Sequence, residues 1–506
     1  MWPKMLLLNF NILIIFTLVN SGELPIFHSP VQPIMQTYLT QKALSSTEKP
    51  QSTPPAPTTV NSYVDNKLHF PTDKPESLPP AASTLLSPDN NRSKEILILG
   101  LFDAALNIDR SMHSLIAQDS KSDGNIIISP ISIAAAMSLI LLGAGGETKT
   151  EIGKLFGYDE NTLLHAIDNN NQNYKDLGML LNYFQYSSTE TLGTRVNLAK
   201  AVFIQNGYNV LQNYKTLAKE YLNSEIITVD FSKEGPNAQQ TINKWVSIQT
   251  NGKINDIMPN IPIPETKTII TSALYFTGEW ETPFFVNYTR IKPFYFKSNI
   301  GDKNAQDIIY IPMMMGSSDI LYHKNEDLGF SAMGLPYKGN KFVSYFVLPD
   351  LNVNLRDLVN KMDGKILQNI TRNTIPLEFT YFVPKMTLKS FTNLRPALQN
   401  LGVNKIFDIS KADFSNFTSN SDSFINDILH KVEIIIDEIG TIASAATTVI
   451  ISRGGQPPFN VNRPFIYFIH HVESDTIIFW STVYKPTPYT ITPPLPLPNS
   501  YRYRKH

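Results

Sequence analysis

The uneven placement of proline constrains the fold of this chain more than any other feature of its sequence. Of the 35 prolines, 12 lie in residues 22–93 and six in residues 485–506, whereas the 391 residues of 94–484 hold only 16. Proline lacks a backbone N–H and interrupts both helices and central strands, so regular structure is expected in the proline-poor body. A body of this length can bury one large core. We therefore predict a single domain over residues 94–484, although length alone suggests about three.

The two proline-rich flanks have the composition of segments that do not fold. Residues 22–93 are rich in Pro, Ser and Thr, and segment 52–59 reads Ser-Thr-Pro-Pro-Ala-Pro-Thr-Thr. Such a segment buries too little apolar surface to offset the entropy of ordering it. We predict a disordered spacer over residues 22–93, with an O-glycosylated stalk or a docking arm as the alternatives. Residues 485–506 form a proline-rich tail with a basic end, whose charges we interpret as solvated.

The N-terminus predicts a secreted, extracellular protein. Lys4 precedes a mostly apolar run over residues 5–19, and the small residues Ser21 and Gly22 follow it. A helix of that length spans about 22 Å, which is shorter than a bilayer core of about 30 Å. A cleaved signal peptide over residues 1–21 therefore fits better than a membrane anchor, and a buried N-terminal helix is the alternative. No other stretch is long and apolar enough to cross a membrane, so no membrane association is expected.

Asn-X-Ser/Thr sequons mark surface positions if the chain is secreted. They begin at Asn91, Asn287, Asn369 and Asn416. An acceptor asparagine must be reachable, so these sequons predict exposed side chains that carry N-linked glycans.

The composition excludes several classes of function. The absence of cysteine removes disulfide scaffolds, thiol nucleophiles and cysteine-ligated metals. A formal net charge of −1, with 17% charged residues, gives no electrostatic case for nucleic-acid binding. His470 and His471 are adjacent, so in a strand they point to opposite faces and cannot share a metal. We expect no metal and no cofactor.

Catalytic motifs are absent as well. The glycine cluster at residues 143–146 lacks the Gly-Lys-Ser/Thr spacing of a phosphate-binding loop, and it follows a helical pattern rather than opening one. We interpret it as a turn that ends the helix. The chain contains neither a GxSxG elbow nor an HExxH motif, and we therefore do not expect an enzyme.

Local patterns in the body predict an α+β fold with a large sheet. Ser129 is a good N-cap and Pro130 fits the first position of a helix over residues 131–142, which is apolar almost all round and should be buried. A second helix is predicted over residues 241–250. Strand patterns cover residues 268–276, 342–348, 375–382, 432–437 and 466–469.

One segment of the body has an unusual composition. Residues 439–452 contain no charge and no proline, and they are bounded by Glu438 and Arg453. A segment of this kind is a β-pairing hazard if it is exposed in a soluble protein. On composition alone, a buried core strand is the simpler interpretation.

Several motifs, in matching order along the chain, resemble those of the serpin superfamily. They are residues 125–133 with 142–148, 243–246 with 250–254, 273–280, 335–339, 430–432 with 437–441, and 462–465. Together they cover essentially all of residues 94–484. The resemblance implies an α+β serpin fold of three β-sheets and about nine helices, with an exposed reactive-centre loop over residues 439–458.

The resemblance also implies a mechanism. In serpins, a serine protease attacks the loop and forms an acyl-enzyme, and the cleaved loop then inserts as an extra strand into the main sheet, which distorts the protease. About sixteen inserted residues correspond to roughly 50 Å of travel at strand rise. The implied hinge residues are Glu438, Gly440, Thr441, Ala443, Ala445, Ala446 and Thr447.

The hinge composition favours an inhibitory serpin. Thr441, Ala443, Ala445 and Thr447 share one strand face and are small, so they can enter a packed core at low cost. A charge or a proline on this face would stall insertion, and neither is present. Ile442 stands where inhibitory hinges usually carry Glu, although its side chain should face away from the core.

A second implied site lies beneath the main sheet. Ser129, Ser132, Ser272 and His430 match a hydrogen-bonded cluster that governs sheet opening in serpins, except that the family usually has asparagine in place of Ser272. The substitution is expected to loosen the cluster without abolishing it. Ordinary satisfied core polarity is the alternative interpretation of these residues.

Two counts locate the scissile bond. Counting back from Phe465 with the usual family spacing places Arg453 before the cut, whereas counting forward from Glu438 gives Gly454. We choose the Arg453–Gly454 bond, because arginine pairs with the acidic specificity pocket of trypsin-like proteases. An arginine that is merely solvated in a loop is the alternative.

Three functions are consistent with the sequence to different degrees. The first is a secreted, monomeric suicide inhibitor whose partner is a trypsin-like serine protease, held as a covalent acyl complex. The second is a non-inhibitory serpin that acts as a carrier or binding protein, against which the small hinge residues argue. The third, a secreted hydrolase, lacks a nucleophile constellation. No membrane or nucleic-acid partner is expected.

Overall fold

The structure, a computed structural model, describes residues 91–116, 124–155, 193–296, 308–440 and 457–488. The chain divides into two units, residues 1–61 and 62–506, and every described residue belongs to the second. The predicted signal peptide and nearly all of the predicted spacer lie outside the described residues. The first described helix begins at Asn91, three residues before the predicted start of the domain.

Eight α-helices lie in the described part of the chain. They are α1 (Asn91–Ile116), α2 (Pro130–Gly143), α3 (Gly146–Leu155), α4 (Gln212–Leu222), α5 (Gly235–Gln249), α6 (Leu355–Lys361), α7 (Gly364–Arg372) and α8 (Arg395–Asn400). Among the described residues, no helix combines the length and apolarity needed to cross a membrane.

The same part of the chain contains fifteen strands. They are β1 (Ile126–Ile128), β2 (Thr194–Gln205), β3 (Glu225–Val229), β4 (Thr268–Gly278), β5 (Arg290–Tyr295), β6 (Ile308–Asn325), β7 (Phe330–Pro336), β8 (Phe342–Pro349), β9 (Ile375–Pro384), β10 (Met386–Asn393), β11 (Asp427–Ile436), β12 (Phe459–Asn460), β13 (Phe465–His471), β14 (Thr476–Val483) and β15 (Thr487–Pro488). The predicted α+β class is confirmed.

The local signals place α2 as predicted. The Ser129 side chain accepts a hydrogen bond from the Ser132 N–H at 3.2 Å, and Pro130 occupies the first helical turn, where its missing N–H is not needed. The helix is apolar almost all round because it is buried on nearly all sides. The second predicted helix corresponds to α5, which begins six residues before the predicted start.

The glycine cluster after α2 corrects one expectation. It ends α2 as predicted, but it also opens α3 at Gly146, contrary to the sequence interpretation. An added Cβ at Gly145 would lie 2.6 Å from a carboxylate oxygen of Asp413. The small residue is therefore needed for close packing of this carboxylate, whose charge disfavours a phosphate at the turn.

The smaller sheet has six strands in the order β15-β10-β11-β4-β2-β3. At its centre β4 and β11 run parallel and pair continuously from Ile269 with Asp427 to Phe276 with Ile434. We call this parallel pair the seam. Helix α5 packs on one face of the sheet through Ile242, Trp245 and Val246. Helix α2 lies against the opposite face.

The larger network has nine strands, in the order β1-β14-β13-β8-β7-β6-β9-β12, with β5 paired to β6. Strand β6 changes partner along its length, from β5 at its beginning to β9 over its middle and β7 at its end. The resemblance implies three sheets, and two of them are therefore joined through β6 into one hydrogen-bonded network.

A buried carboxylate fixes α1 to the larger network. Asp109 is fully buried, and its Oδ2 accepts hydrogen bonds from Trp480 Nε1 and Thr482 Oγ1, both at 2.9 Å. Its Oδ1 accepts from Arg356 Nη1 at 3.0 Å. Burial raises the pKa of Asp109, although these hydrogen bonds lower it in part. Both oxygens are occupied, so the role of Asp109 is structural.

Candidate functional site

Three polar side chains form one row across the middle of the smaller sheet. Lys200 on β2 pairs in register with Ser272 on β4, which in turn pairs with His430 on β11. Directly opposed residues of neighbouring strands project to the same face. The row therefore crosses the seam, and the N-terminal turn of α2 lies beneath it.

The structure brings together the four residues predicted to form the cluster beneath the sheet. The backbone N–H of Ser129 donates to His430 Nε2 at 3.0 Å, and the Ser272 Oγ donates to the Ser132 carbonyl at 2.8 Å. The Oγ atoms of Ser132 and Ser272 are also in hydrogen-bond contact. All four residues are fully buried.

The hydrogen bonds determine the tautomer of His430. Because a backbone N–H donates to Nε2, this nitrogen is unprotonated and Nδ1 carries the proton. The Nδ1–H then donates across the seam to the Ser272 carbonyl at 3.2 Å. Burial lowers the pKa of His430 to about 3, and its bond to Ser272 opposes the shift only in part. The imidazole is therefore neutral at physiological pH.

With serine at position 272, where the resemblance implies asparagine, the four residues still form one connected hydrogen-bonded cluster. The Ser272 hydroxyl reaches both the carbonyl and the hydroxyl of Ser132, while its own carbonyl serves His430. The Ser129 hydroxyl donates to the Ile478 carbonyl on β14 at 2.8 Å. One small group of buried polar side chains thus links both sides of the seam, α2 and the larger network.

Lys200 is a member of the row that was not predicted. It is 3% exposed, and no hydrogen bond or ion pair to its ammonium is found in the described part of the chain. Burial lowers the pKa of Lys200 to about 8. The available signal was a single charge inside the apolar run at residues 198–204.

An ion pair fixes the start of the predicted hinge. Glu438 is 6% exposed, and its Oε2 lies 2.6 Å from Lys385 Nζ. Its Oε1 accepts a hydrogen bond from Thr289 Oγ1 at 2.7 Å, and its carbonyl accepts from the Phe284 N–H at 2.8 Å. The sequence does not indicate Lys385 as a partner, because 53 residues separate it from Glu438.

Gly440 requires the absence of a side chain. Its φ is +103°, and an added Cβ would lie 2.0 Å from the Gly278 carbonyl oxygen. Both the left-handed backbone and the close approach to β4 therefore favour glycine. The N–H groups of Ile439 and Gly440 both donate to Asp437 Oδ1, at 3.1 and 3.0 Å, which stabilises the turn.

Trp280 holds the hinge against the end of β4. Its backbone N–H donates to the Ile439 carbonyl at 3.1 Å, and its Nε1 donates to the Asp437 carbonyl at 2.9 Å. Its ring stacks on Tyr337 with centroids 4.4 Å apart. The turn that follows β11 is thus hydrogen-bonded both within itself and to Trp280, just after β4.

The remaining predicted loop residues lie outside the described residues. They are Thr441, Ala443, Ala445, Ala446, Thr447, Arg453 and Gly454. The chain is described again from Pro457, and β12 then pairs in parallel with β9 through Phe459 and Asn460.

The sequon asparagines at positions 287, 369 and 416 are exposed, as glycosylation would require. Asn416 also donates a hydrogen bond from Nδ2 to the Ala144 carbonyl at 3.0 Å. The side chain of Asn91 lies outside the described residues. Glycosylation itself stays a prediction.

Comparison with known proteins identifies the family. The model of the family described as serpin, serine protease inhibitor, matches residues 110–486. Intracellular coagulation inhibitor 2 of Tachypleus tridentatus is 30% identical over 71% of this chain and 85% of its own length, and intracellular coagulation inhibitor 1 is 31% identical over 72% and 85%. The chain belongs to the serpin family of serine protease inhibitors.

A solved structure agrees on the fold. Mouse protein-Z dependent protease inhibitor superposes with a TM-score of 0.68 at 24% sequence identity, over 78% of this chain and 98% of that one. At this identity the likeness shows the fold alone. The predicted serpin fold is confirmed.

The comparisons contradict the prediction of a secreted, extracellular protein. Two of the relatives are named intracellular coagulation inhibitors. The prediction depended on the length and apolarity of residues 5–19, which lie outside the described residues. Those two properties do not by themselves separate a signal peptide from the alternative of a buried N-terminal helix.

The neutral state of His430 predicts a specific pH dependence. The unfolded chain binds a proton on this imidazole below about pH 6.5, whereas the native chain does so only near pH 3. Acidification through this window should therefore lower the free energy of unfolding, by up to about 1.4 kcal/mol per pH unit from this group. The His430→Gln variant should lose this part of the slope in urea denaturation curves. Parallel curves for the two proteins would contradict the assignment.

Lys200 predicts a pH dependence in the alkaline range. Between about pH 8 and 10.4 the unfolded chain binds more protons than the native one, so native stability should rise with pH. Lys200→Met should remove this rise and stabilise the protein at pH 7, by up to about 3 kcal/mol. Urea midpoints measured across this range check the prediction. The exposed Lys215→Met serves as the matched control and should change little.

Proposed function

We propose that this protein inhibits a trypsin-like serine protease by suicide-substrate trapping, as a monomer and not as an enzyme. The protease cleaves loop 439–458 at the Arg453–Gly454 bond, and the freed loop segment inserts at the seam. The observation that best supports the proposal is the closed parallel pairing of β4 and β11, with the hinge leaving directly from the end of β11.

The strand directions favour insertion. A segment that turns back after β11 runs antiparallel to β11, and because β4 is parallel to β11, it runs antiparallel to β4 as well. Insertion therefore replaces one parallel pairing with two antiparallel ones, and antiparallel pairing is slightly more stable per residue. The cleaved loop can thus enter between β4 and β11 with a net gain in hydrogen bonds.

The hinge contacts are compatible with a loop that turns back. Gly440 accommodates a backbone reversal that other residues resist, and the next residues on the inserting face are the small Thr441, Ala443, Ala445 and Thr447. Small side chains limit the volume that insertion adds to the packed core beneath the sheet, where there is little free space. The separation of β4 from β11 must break the Nδ1–H bond from His430 to the Ser272 carbonyl.

Incubation with trypsin followed by a denaturing gel tests the proposal. We expect a covalent complex, and mass spectrometry of the released fragment should place the cut after Arg453. Arg453→Ala should reduce the rate of complex formation at least 100-fold, because the acidic pocket of the protease loses its charged partner, while Arg453→Lys keeps the charge and should retain most of it. A clean cut without a complex would support the carrier alternative. Unchanged inhibition by Arg453→Ala would mean that another bond is attacked.

A second pair of variants tests insertion separately from recognition. Thr441→Arg places a charge on the inserting face, so cleavage should proceed while trapping fails, and the protein should become a substrate. Ile442→Arg places the same charge on the opposite face and should leave trapping nearly intact. The ratio of complex to cleaved protein on the gel measures the difference. Equal ratios for the two variants would exclude the proposed direction of insertion.

A further inference from the structure

An exposed apolar surface lies on the β5–β6 pair. Three register pairs project to the outer face of these strands: Ile291 with Pro312, Pro293 with Tyr310, and Tyr295 with Ile308. Ile291 is 64% exposed and Tyr310 is 70% exposed, while the other four are partly buried. We call these six residues the β5–β6 face. The alternate residues Phe294 and Ile311 point inward and are buried, so the outer residues are not needed for the core.

The position of this surface is unusual for an isolated domain. All six residues are apolar, and β5 pairs only with β6 in the part of the chain that the structure describes. A contiguous apolar patch on a sheet edge that is open to water favours pairing with another segment. The β5–β6 face is therefore a candidate docking surface.

The last described residues of the chain lead to this face. Pro488 of β15 pairs with Met386, and the N–H of the preceding Lys385 donates to the Pro312 carbonyl on β6 at 2.9 Å. Because β15 is antiparallel to β10, the chain runs past Met386 toward Lys385 and Pro312. Lys485 Nζ also lies 5.2 Å from the ring centroid of Phe296, the residue after β5.

The chemistry of the following segment matches the face. Residues 489–500 contain no charged side chain, and residues 493–498 read Pro-Pro-Leu-Pro-Leu-Pro. Such a segment favours a polyproline II conformation, which loses little entropy on docking against aromatic and proline side chains. Counted over five steps, a run of six such residues spans about 16 Å, which nearly matches the length of about 17 Å over which β5 extends. The family match ends at residue 486, so this segment is additional to the serpin domain.

We propose that the C-terminal tail, residues 489–506, docks on the β5–β6 face through its proline and leucine residues. The docked segment covers Ile291 and Tyr310. It lies near the strand by which the reactive loop rejoins the domain, since the Tyr295 N–H donates to the Asn462 carbonyl at 2.9 Å, just after β12. The proposal does not depend on the protein being an inhibitor.

Disulfide trapping in the full chain tests the proposal without interference, because the sequence contains no cysteine. Tyr310→Cys combined with Leu495→Cys should form an intramolecular disulfide in most molecules under mild oxidation. Phe391→Cys combined with Leu495→Cys is the matched control. Phe391 is 42% exposed and lies on β10 about 17 Å along from the partner of Pro488, within reach of a free tail but outside the face.

The outcomes separate the possible occupants of the face. Cross-linking at least fivefold faster for the Tyr310 pair than for the Phe391 pair supports the proposal. Equal rates would show a tail that does not dock, and intermolecular disulfides at the Tyr310 pair would show that a second copy covers the face instead. Both results would overturn the proposal.

A second measurement uses an environment-sensitive dye that binds apolar surfaces. Leu495→Ser with Leu497→Ser should release the tail and raise dye fluorescence severalfold, and adding Ile291→Ser with Tyr310→Ser should reverse the rise. If fluorescence does not change on releasing the tail, the face is not covered by it and the proposal is wrong.

Discussion

The direct parallel pairing of β4 with β11 is the constraint on which the rest of the structure depends. It places the fully buried β4 beside β11, the strand that leads into residues 439–458. Parallel pairing of this kind is slightly less stable per residue than antiparallel pairing. The contacts of residues 437–440 hold the end of this pairing. The cluster of Ser129, Ser132, Ser272 and His430 holds it from beneath the sheet. In the proposed mechanism, this strand interface is the one that the cleaved loop must open in order to insert.

The polar row of Lys200, Ser272 and His430 makes two opposing electrostatic contributions to the stability of the sheet. His430 is neutral and fully hydrogen-bonded, so it links β11 to β4 and α2 without the cost of a buried charge. Lys200, in the same row, has no such partner among the described residues, and its burial disfavours the ammonium form. The serine at position 272 is small enough to serve both strands and the helix. Burial of Lys200 thus lowers the stability of the closed sheet, whereas the hydrogen bonds of His430 raise it.

The sequence predicted those features that depend on neighbouring residues. Ser129 and Pro130 define the start of α2 because a cap and a fixed φ act locally. The opening of α3 at Gly146, which packs beside the distant Asp413, was missed. The cluster around His430 was predicted only through family resemblance, since 158 residues separate it from Ser272. The partner of Glu438 depends on strand register, which local patterns in a single sequence do not reveal. The compartment was predicted from residues 4–22 alone, and the comparisons contradict that prediction.

Lys385 links the two sheets, because it lies between β9 of the larger network and β10 of the smaller sheet. Its backbone N–H bonds to β6, while its ammonium holds Glu438 at the hinge. Any rearrangement that removes Glu438 from this position breaks an ion pair between two largely buried side chains at the junction of the sheets. By thermodynamic linkage, only a ligand whose affinity differs before and after hinge release would shift that equilibrium, and the two free-energy changes would be equal. One residue at this junction therefore contacts both the outer strand β6 and the turn that follows β11.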